Sequence, residues 1–179
     1  MKVVLISGKA RSGKDQSALF IKDYMEKSTH KRVVIVKYGD FLKGFLKNSL
    51  GWDGKKDENG RSLLQKFGTD VIRKSYEYAF TDMMIALLKG ICKTFDYVLI
   101  SDVRFPNEAD EIKAIFDSIT LRITRDKNES LLTKEQLSHQ SETAMDNYDF
   151  DAYINNNFDL NTLKTACKDF CQTYFFLEG

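Results

Sequence analysis

A β-branched apolar run, Val3-Val4-Leu5-Ile6, leads straight into Ser7-Gly8-Lys9-Ala10-Arg11-Ser12-Gly13-Lys14-Asp15, and the next residues, Gln16-Ser17-Ala18-Leu19-Phe20-Ile21, space their apolar members as a helix does. Strand, Gly-x-x-x-x-Gly-Lys turn and helix in immediate succession leave few folds open, because the turn is a cradle for phosphate. Gly8 and Gly13 allow the backbone to curl until successive N–H groups point inward. Lys14 supplies a point charge for the β- and γ-phosphates of a nucleotide, and the following helix aims its positive end at the same spot. The expected nucleotide contacts are therefore Gly8, Lys9, Ala10, Arg11, Ser12, Gly13, Lys14, Asp15 and Gln16. Asp15 is the irregular position, since such loops usually carry Ser or Thr there for a metal ion.

Beyond the loop, strand patterns at Lys2 to Ile6, Arg32 to Lys37, Tyr97 to Ser101, Ile119 to Ile123 and Ala152 to Asn155 alternate with helical ones. This predicts an α/β fold of the P-loop NTPase type: a five-stranded parallel sheet flanked by helices, with ligands at the carboxyl ends of the strands. Two stretches exceed what a plain strand-helix-strand unit needs, about 38–93 and about 124–149. Both are expected to overhang the phosphate site, as an acceptor-binding insertion and a lid on a single domain spanning 1–179.

A length of 179 residues with 42% hydrophobic and 30% charged side chains suits one sizeable core and a cytoplasmic enzyme. The opening apolar run is far too short to span a bilayer and lacks the features of a secretory signal. A net charge of +1 provides no broad basic face, so small anionic substrates are favoured over nucleic acid or a membrane, and a homodimer stays open. Cys92, Cys167 and Cys171 form no disulfide-like framework and are expected as buried or half-buried thiols.

Within the first long stretch, Arg61 and Gln65 lie four apart and share a helix face, with Leu64 and Phe67 able to pack behind it and Arg73 following after a break at Gly68. Guanidinium binds phosphate oxygens bidentately, and an amide both donates and accepts, so the group suits a phosphate plus a base edge. A solvated amphipathic face with surface ion pairs is the alternative. Tyr97-Val98-Leu99-Ile100-Ser101-Asp102 reads as a buried strand ending in a carboxylate. Asp102 would face the Mg²⁺ shell or, more plainly, cap a helix or turn, with Arg104 beside it at the same sheet end. In the second long stretch, Arg122 and Arg125 open a polar segment through Thr143 that reads as a cover, and the two arginines could stack on a purine or neutralise a migrating phosphoryl group. His139 within it is expected as a surface or capping residue.

Taken together, Ser7 to Asp15, Phe41-Leu42-Lys43, Arg61 with Leu63-Leu64-Gln65 and Gly68-Thr69-Asp70, Asp102-Val103-Arg104-Phe105-Pro106-Asn107-Glu108, and His139-Gln140-Ser141-Glu142 with Ile154-Asn155 resemble the phage-type deoxynucleoside monophosphate kinases. The blocks run in order over nearly the whole chain. The resemblance implies a nucleoside-monophosphate-kinase-like fold, Mg-ATP as donor and a deoxynucleoside monophosphate as acceptor. It also makes Asp15 a mark of the family, where lysine followed by aspartate is usual, although a small hydroxyl generally comes next and this chain has Gln16 and then Ser17.

On this reading the chain transfers the ATP γ-phosphoryl group in line, without a covalent intermediate. Lys14, Asp102, Arg104 and Arg125 are the catalytic candidates, Asp15 and Asp102 the magnesium candidates, and Arg122 a donor contact. Lys43, Arg61, Gln65, Arg73, Arg104 and Glu108 are the acceptor-binding candidates. The nearest rival resembles the animal-type phosphomevalonate kinases, in which Gln65 would have no base edge to read. A GTPase-type switch lacks its guanine-reading Asn-Lys-x-Asp, and a noncatalytic nucleotide-binding module would bind ATP without acceptor-dependent turnover.

Overall fold

The computed structural model describes residues 1–55, 57–126 and 133–175, so part of the expected lid, residues 127–132, lies outside the described residues. Five strands, β1 (Lys2–Ser7), β2 (Val33–Val36), β3 (Tyr97–Val103), β4 (Ser118–Thr124) and β5 (Ala152–Asn155), form one sheet in the order β2-β3-β1-β4-β5. All four pairings are parallel. The expected strands are thus all present: β5 has the expected bounds, β1 gains one residue at its end and β4 one at each end, and the bounds of β2 and β3 change as well. β2 is shorter because the Arg32 N–H is taken by the Asp96 carboxylate and Lys37 already caps the next helix. β3 runs two residues further, through Asp102 and Val103.

Alternate residues of β1 serve two cores. Val4 and Ile6 pack with α1 (Lys14–Thr29) and α8 (Leu160–Phe175) on one face. Val3 and Leu5 pack on the other with α2 (Tyr38–Leu50), α4 (Ala79–Ile91) and α5 (Pro106–Ile115). A strand covered on both faces must be apolar at every position, which is why Val3 to Ile6 shows no polar alternation.

The first long stretch adds α2, α3 (Glu58–Gln65) and a π-helical segment, Lys66–Arg73. No break occurs at Gly68, contrary to the expectation for it. The helix passes through, and Gly68 marks a close approach to α2, since a Cβ there would stand 3.0 Å from Leu42 Cδ2. The wider winding carries Arg73 inward, and π-turns of this kind concentrate at functional sites. The second stretch contributes α6 (Lys134–Ser138) and α7 (Gln140–Thr143). No helix among the described residues is long and apolar enough to cross a membrane.

Candidate active site

The phosphate loop joins β1 to α1. Gly13 caps α1 at φ 98°, a left-handed conformation open chiefly to glycine, and a Cβ there would meet Asn156 Nδ2 at 2.3 Å. That amide fixes the loop by donating to the Ser12 carbonyl at 2.8 Å. Arg11 also holds a positive φ, 62°. Ser12 Oγ is buried inside the curl without a hydrogen-bond partner among the described residues, as expected of a cradle shaped for an anion. Ser17 is turned away: its hydroxyl bonds the Gly13 carbonyl at 3.1 Å and lies against Cys167, which removes it as a metal contact. Gln16 is half-buried and does not line the cleft, whereas Asp15 does.

Register explains the neighbours. Ser7 lies opposite Val103 on one side and Arg122 on the other, so the loop emerges between the carboxyl ends of β3 and β4. Asp102 projects beside it and receives the first N–H groups of α2, Tyr38 on Oδ1 at 2.8 Å and Gly39 on Oδ2 at 2.9 Å. It is therefore a helix cap supplied from a neighbouring strand and a lining residue of the cleft at once. Burial pushes its carboxyl above the usual range, against the opposing pull of those two amides. Asp15 is raised by burial, yet the hydrogen bond and charge of Lys37 hold it below the usual value overall. Lys37 Nζ stands 2.8 Å from Asp15 Oδ1, and Ser101 Oγ donates to the same oxygen at 3.3 Å.

Lys14 is 8% exposed and donates to the Lys9 carbonyl at 3.3 Å. Burial, followed by the nearby Arg104 guanidinium, lowers its pKa to about 8. A buried ammonium held in this way is a cation in need of an anionic partner.

A cleft of about 410 Å³ runs from Ala10, Arg11, Lys14 and Asp15 past Asp102 and Arg104 to Lys43, Arg61, Gln65, Arg73 and Glu108. At its far end the guanidinium of Arg73 lies over the rings of Phe105, 4.1 Å to centroid, and Phe80, 5.0 Å, and pairs with Glu108. Glu108 in turn accepts the N–H groups of Arg104 and Phe105 at 2.6 and 3.1 Å, closing the first turn of α5 behind Pro106. Burial pushes Glu108 up to about 7 against the pull of Arg73. Thus Glu108 orients Arg73 and the start of α5. Gln65 Nε2 donates to the Gln136 carbonyl at 3.2 Å, joining α3 to α6.

Arg122 and Arg125 are not brought into the cleft. Arg122 is spent on Ser7 Oγ at 3.0 Å and Asp146 at 2.9 Å, and Arg125 is exposed beyond the end of β4. His139 caps α7 through its ring, accepting the Ser141 N–H at 3.2 Å. Cys167 and Cys171 are buried as expected, while Cys92 is exposed. Lys37, Tyr38 and Phe80 line the cleft without having been anticipated. For Lys37 a signal existed: it directly follows the strand paired to β3, whose last pair is Val36 with Ile100, so parallel register delivers it beside Ser101 and Asp102.

Residues 52–167 match the family model described as deoxynucleotide monophosphate kinase. No curated protein matches the chain. Among solved structures, a sugar kinase from Janibacter sp. HTCC2649 shares the fold with a TM-score of 0.50 at 9% identity, over 99% of this chain and 96% of that one. The Mycobacterium tuberculosis APS kinase CysC in complex with AMPPNP and APS aligns with a TM-score of 0.49 at 10% identity, over 96% and 95% of the two chains.

Proposed function

The chain belongs to the deoxynucleotide monophosphate kinase family, and on that premise we propose that it moves the γ-phosphoryl group of ATP to a deoxynucleoside monophosphate, giving the diphosphate and ADP. The observation that carries this reading is one continuous cleft with groups suited to phosphate at both ends, Lys14 and the loop amides at one and Arg61 and Arg73 at the other. A donor phosphate on the loop and an acceptor phosphate on the arginines would then face each other across Arg104 and Asp102, as in-line transfer requires.

Each residue has a role in that scheme. Lys14 and the loop N–H groups stabilise charge on the β- and γ-phosphates, and Arg104 spans the two phosphates. Arg73, flattened between two phenyl rings and aimed by Glu108, holds the acceptor phosphate with Arg61 and Lys43, while Gln65 offers its amide to the base. Asp15 and Asp102 are two hard oxygen donors at the loop, and a magnesium ion carried by ATP suits one or two carboxylates plus phosphate and water. Bound there, the ion would offset phosphate charge. The helices of the first long stretch, α2 to α4, would serve as the acceptor-binding insertion, and α6 and α7 of the second as part of a cover that excludes water.

The test is ADP release from Mg-ATP, measured against each deoxynucleoside monophosphate, each ribonucleoside monophosphate and phosphomevalonate in turn. Stimulation by at least one deoxynucleoside monophosphate is expected. Release stimulated only by phosphomevalonate, or by no acceptor, would sink the proposal.

A further inference from the structure

The carboxylate of Glu142 is buried against the phosphate loop. Its Oε2 accepts the Ala10 N–H at 2.9 Å, and its Oε1 accepts from Arg104 Nη1. Only 6% of the side chain is exposed, and Lys14 is near enough for the negative charge of Glu142 to favour its protonated form. A loop amide and a guanidinium on the two oxygens, with the positive field of Lys14 nearby, form the kind of donor set that a phosphoryl group requires. Here an anion belonging to the chain occupies it.

The mounting of Glu142 suits a group that gives way. It sits on α7, a helix of four residues that is N-capped by its own His139 ring. Beyond α7 the chain is pinned, with Met145 in the core and Asp146 paired to both Lys9 at 2.9 Å and Arg122 at 2.9 Å. Arg104 keeps a second tether, donating to the Ser141 carbonyl at 2.9 Å. A carboxylate and a phosphate cannot share the Ala10 amide and Arg104 without strong like-charge repulsion.

We propose that Glu142 is a positioning residue that stands in for the donor's phosphoryl group in the nucleotide-free protein, holding Arg104 and the Ala10 amide in place and surrendering both when the triphosphate enters. The inference rests on the kinase reading for the identity of the ligand. It adds a competition between an internal anion and the nucleotide, which links α7 to occupancy of the loop.

Binding of inorganic tripolyphosphate with magnesium to the full chain, measured by calorimetry, tests this. Glu142→Gln removes the competing charge and should bind the probe about tenfold tighter, the equivalent of one charge-assisted hydrogen bond. Glu142→Asp keeps the charge but is one methylene too short to span both donors, so it should show a smaller gain and serves if the glutamine variant does not fold. A purely structural role predicts weaker or unchanged binding, because Arg104 loses a tether. Unchanged or weaker binding in the folded variants, with the wild type binding normally, overturns the proposal. A wild-type protein that binds neither tripolyphosphate nor Mg-ATP instead removes the kinase reading beneath it.

Discussion

Replacing Lys14 with methionine should move stability and catalysis in opposite directions. The ammonium is 8% exposed, and burial together with Arg104 draws its pKa from 10.5 to about 8. At neutral pH that corresponds to about 3 kcal/mol against the charged form in the folded protein. Methionine matches the length of the lysine stem and carries no charge, but it forfeits the hydrogen bond to the Lys9 carbonyl, a loss of about 1 kcal/mol. A net stabilisation of about 2 kcal/mol remains, which raises Tm by roughly 4–8 °C in a domain of this size. The folded chain releases the proton near pH 8 and the unfolded chain near 10.5, so wild-type stability rises with pH across that window and the variant's advantage shrinks there. Catalysis should fall with the lost transition-state charge, by about 3–4 kcal/mol or a hundredfold and more in kcat. Thermal unfolding at both ends of the window, combined with steady-state ADP release, reads both quantities. A variant less stable than wild type at neutral pH, or one with undiminished turnover, would refute the reasoning.

Three further outcomes follow from the same site. The kcat/KM for Mg-ATP should decline above pH about 8 as Lys14 loses its proton in the free protein, and Lys14→Arg should move that limb beyond the measurable range; a profile unchanged by the substitution counts against Lys14 as the titrating group. Arg73→Gln leaves the Glu108 carboxylate buried without its cation, so chemical denaturation should show a loss of about 3–5 kcal/mol together with a raised KM for the acceptor and little change in KM for ATP. Gly13→Ala forces a side chain into a left-handed conformation and onto Asn156, and calorimetry should show ATP affinity falling at least tenfold, by about 1.4 kcal/mol or more.

The sheet was legible because each strand is covered on both faces or bounded by polar turns, so Val3 to Ile6 and Tyr97 to Ile100 declare themselves as continuous apolar runs. The phosphate loop was legible because its glycines have a backbone reason to be where they are. Arg73 could be nominated by residue type, but its place between Phe80 and Phe105 depends on π-helical winding that carries no local signature, and Gly68 consequently read as a break when it is a contact point for Leu42. Arg122 and Arg125 show the opposite case, since neither lines the cleft. Cations at a strand end beside a phosphate loop resemble ligands, yet whether Arg122 is spent on Asp146 depends on a chain return 24 residues later that the local pattern does not reveal. Glu142 was hidden for the same reason, since its partners Ala10 and Arg104 lie 132 and 38 residues away.

Transfer of label from γ-labelled ATP tests the central claim most directly. Incubated with the full chain, magnesium and single deoxynucleoside monophosphates, the label should appear in the β-position of the matching deoxynucleoside diphosphate, one equivalent for each ADP formed. Label recovered only as inorganic phosphate, or not transferred at all while ATP binds, would contradict the account.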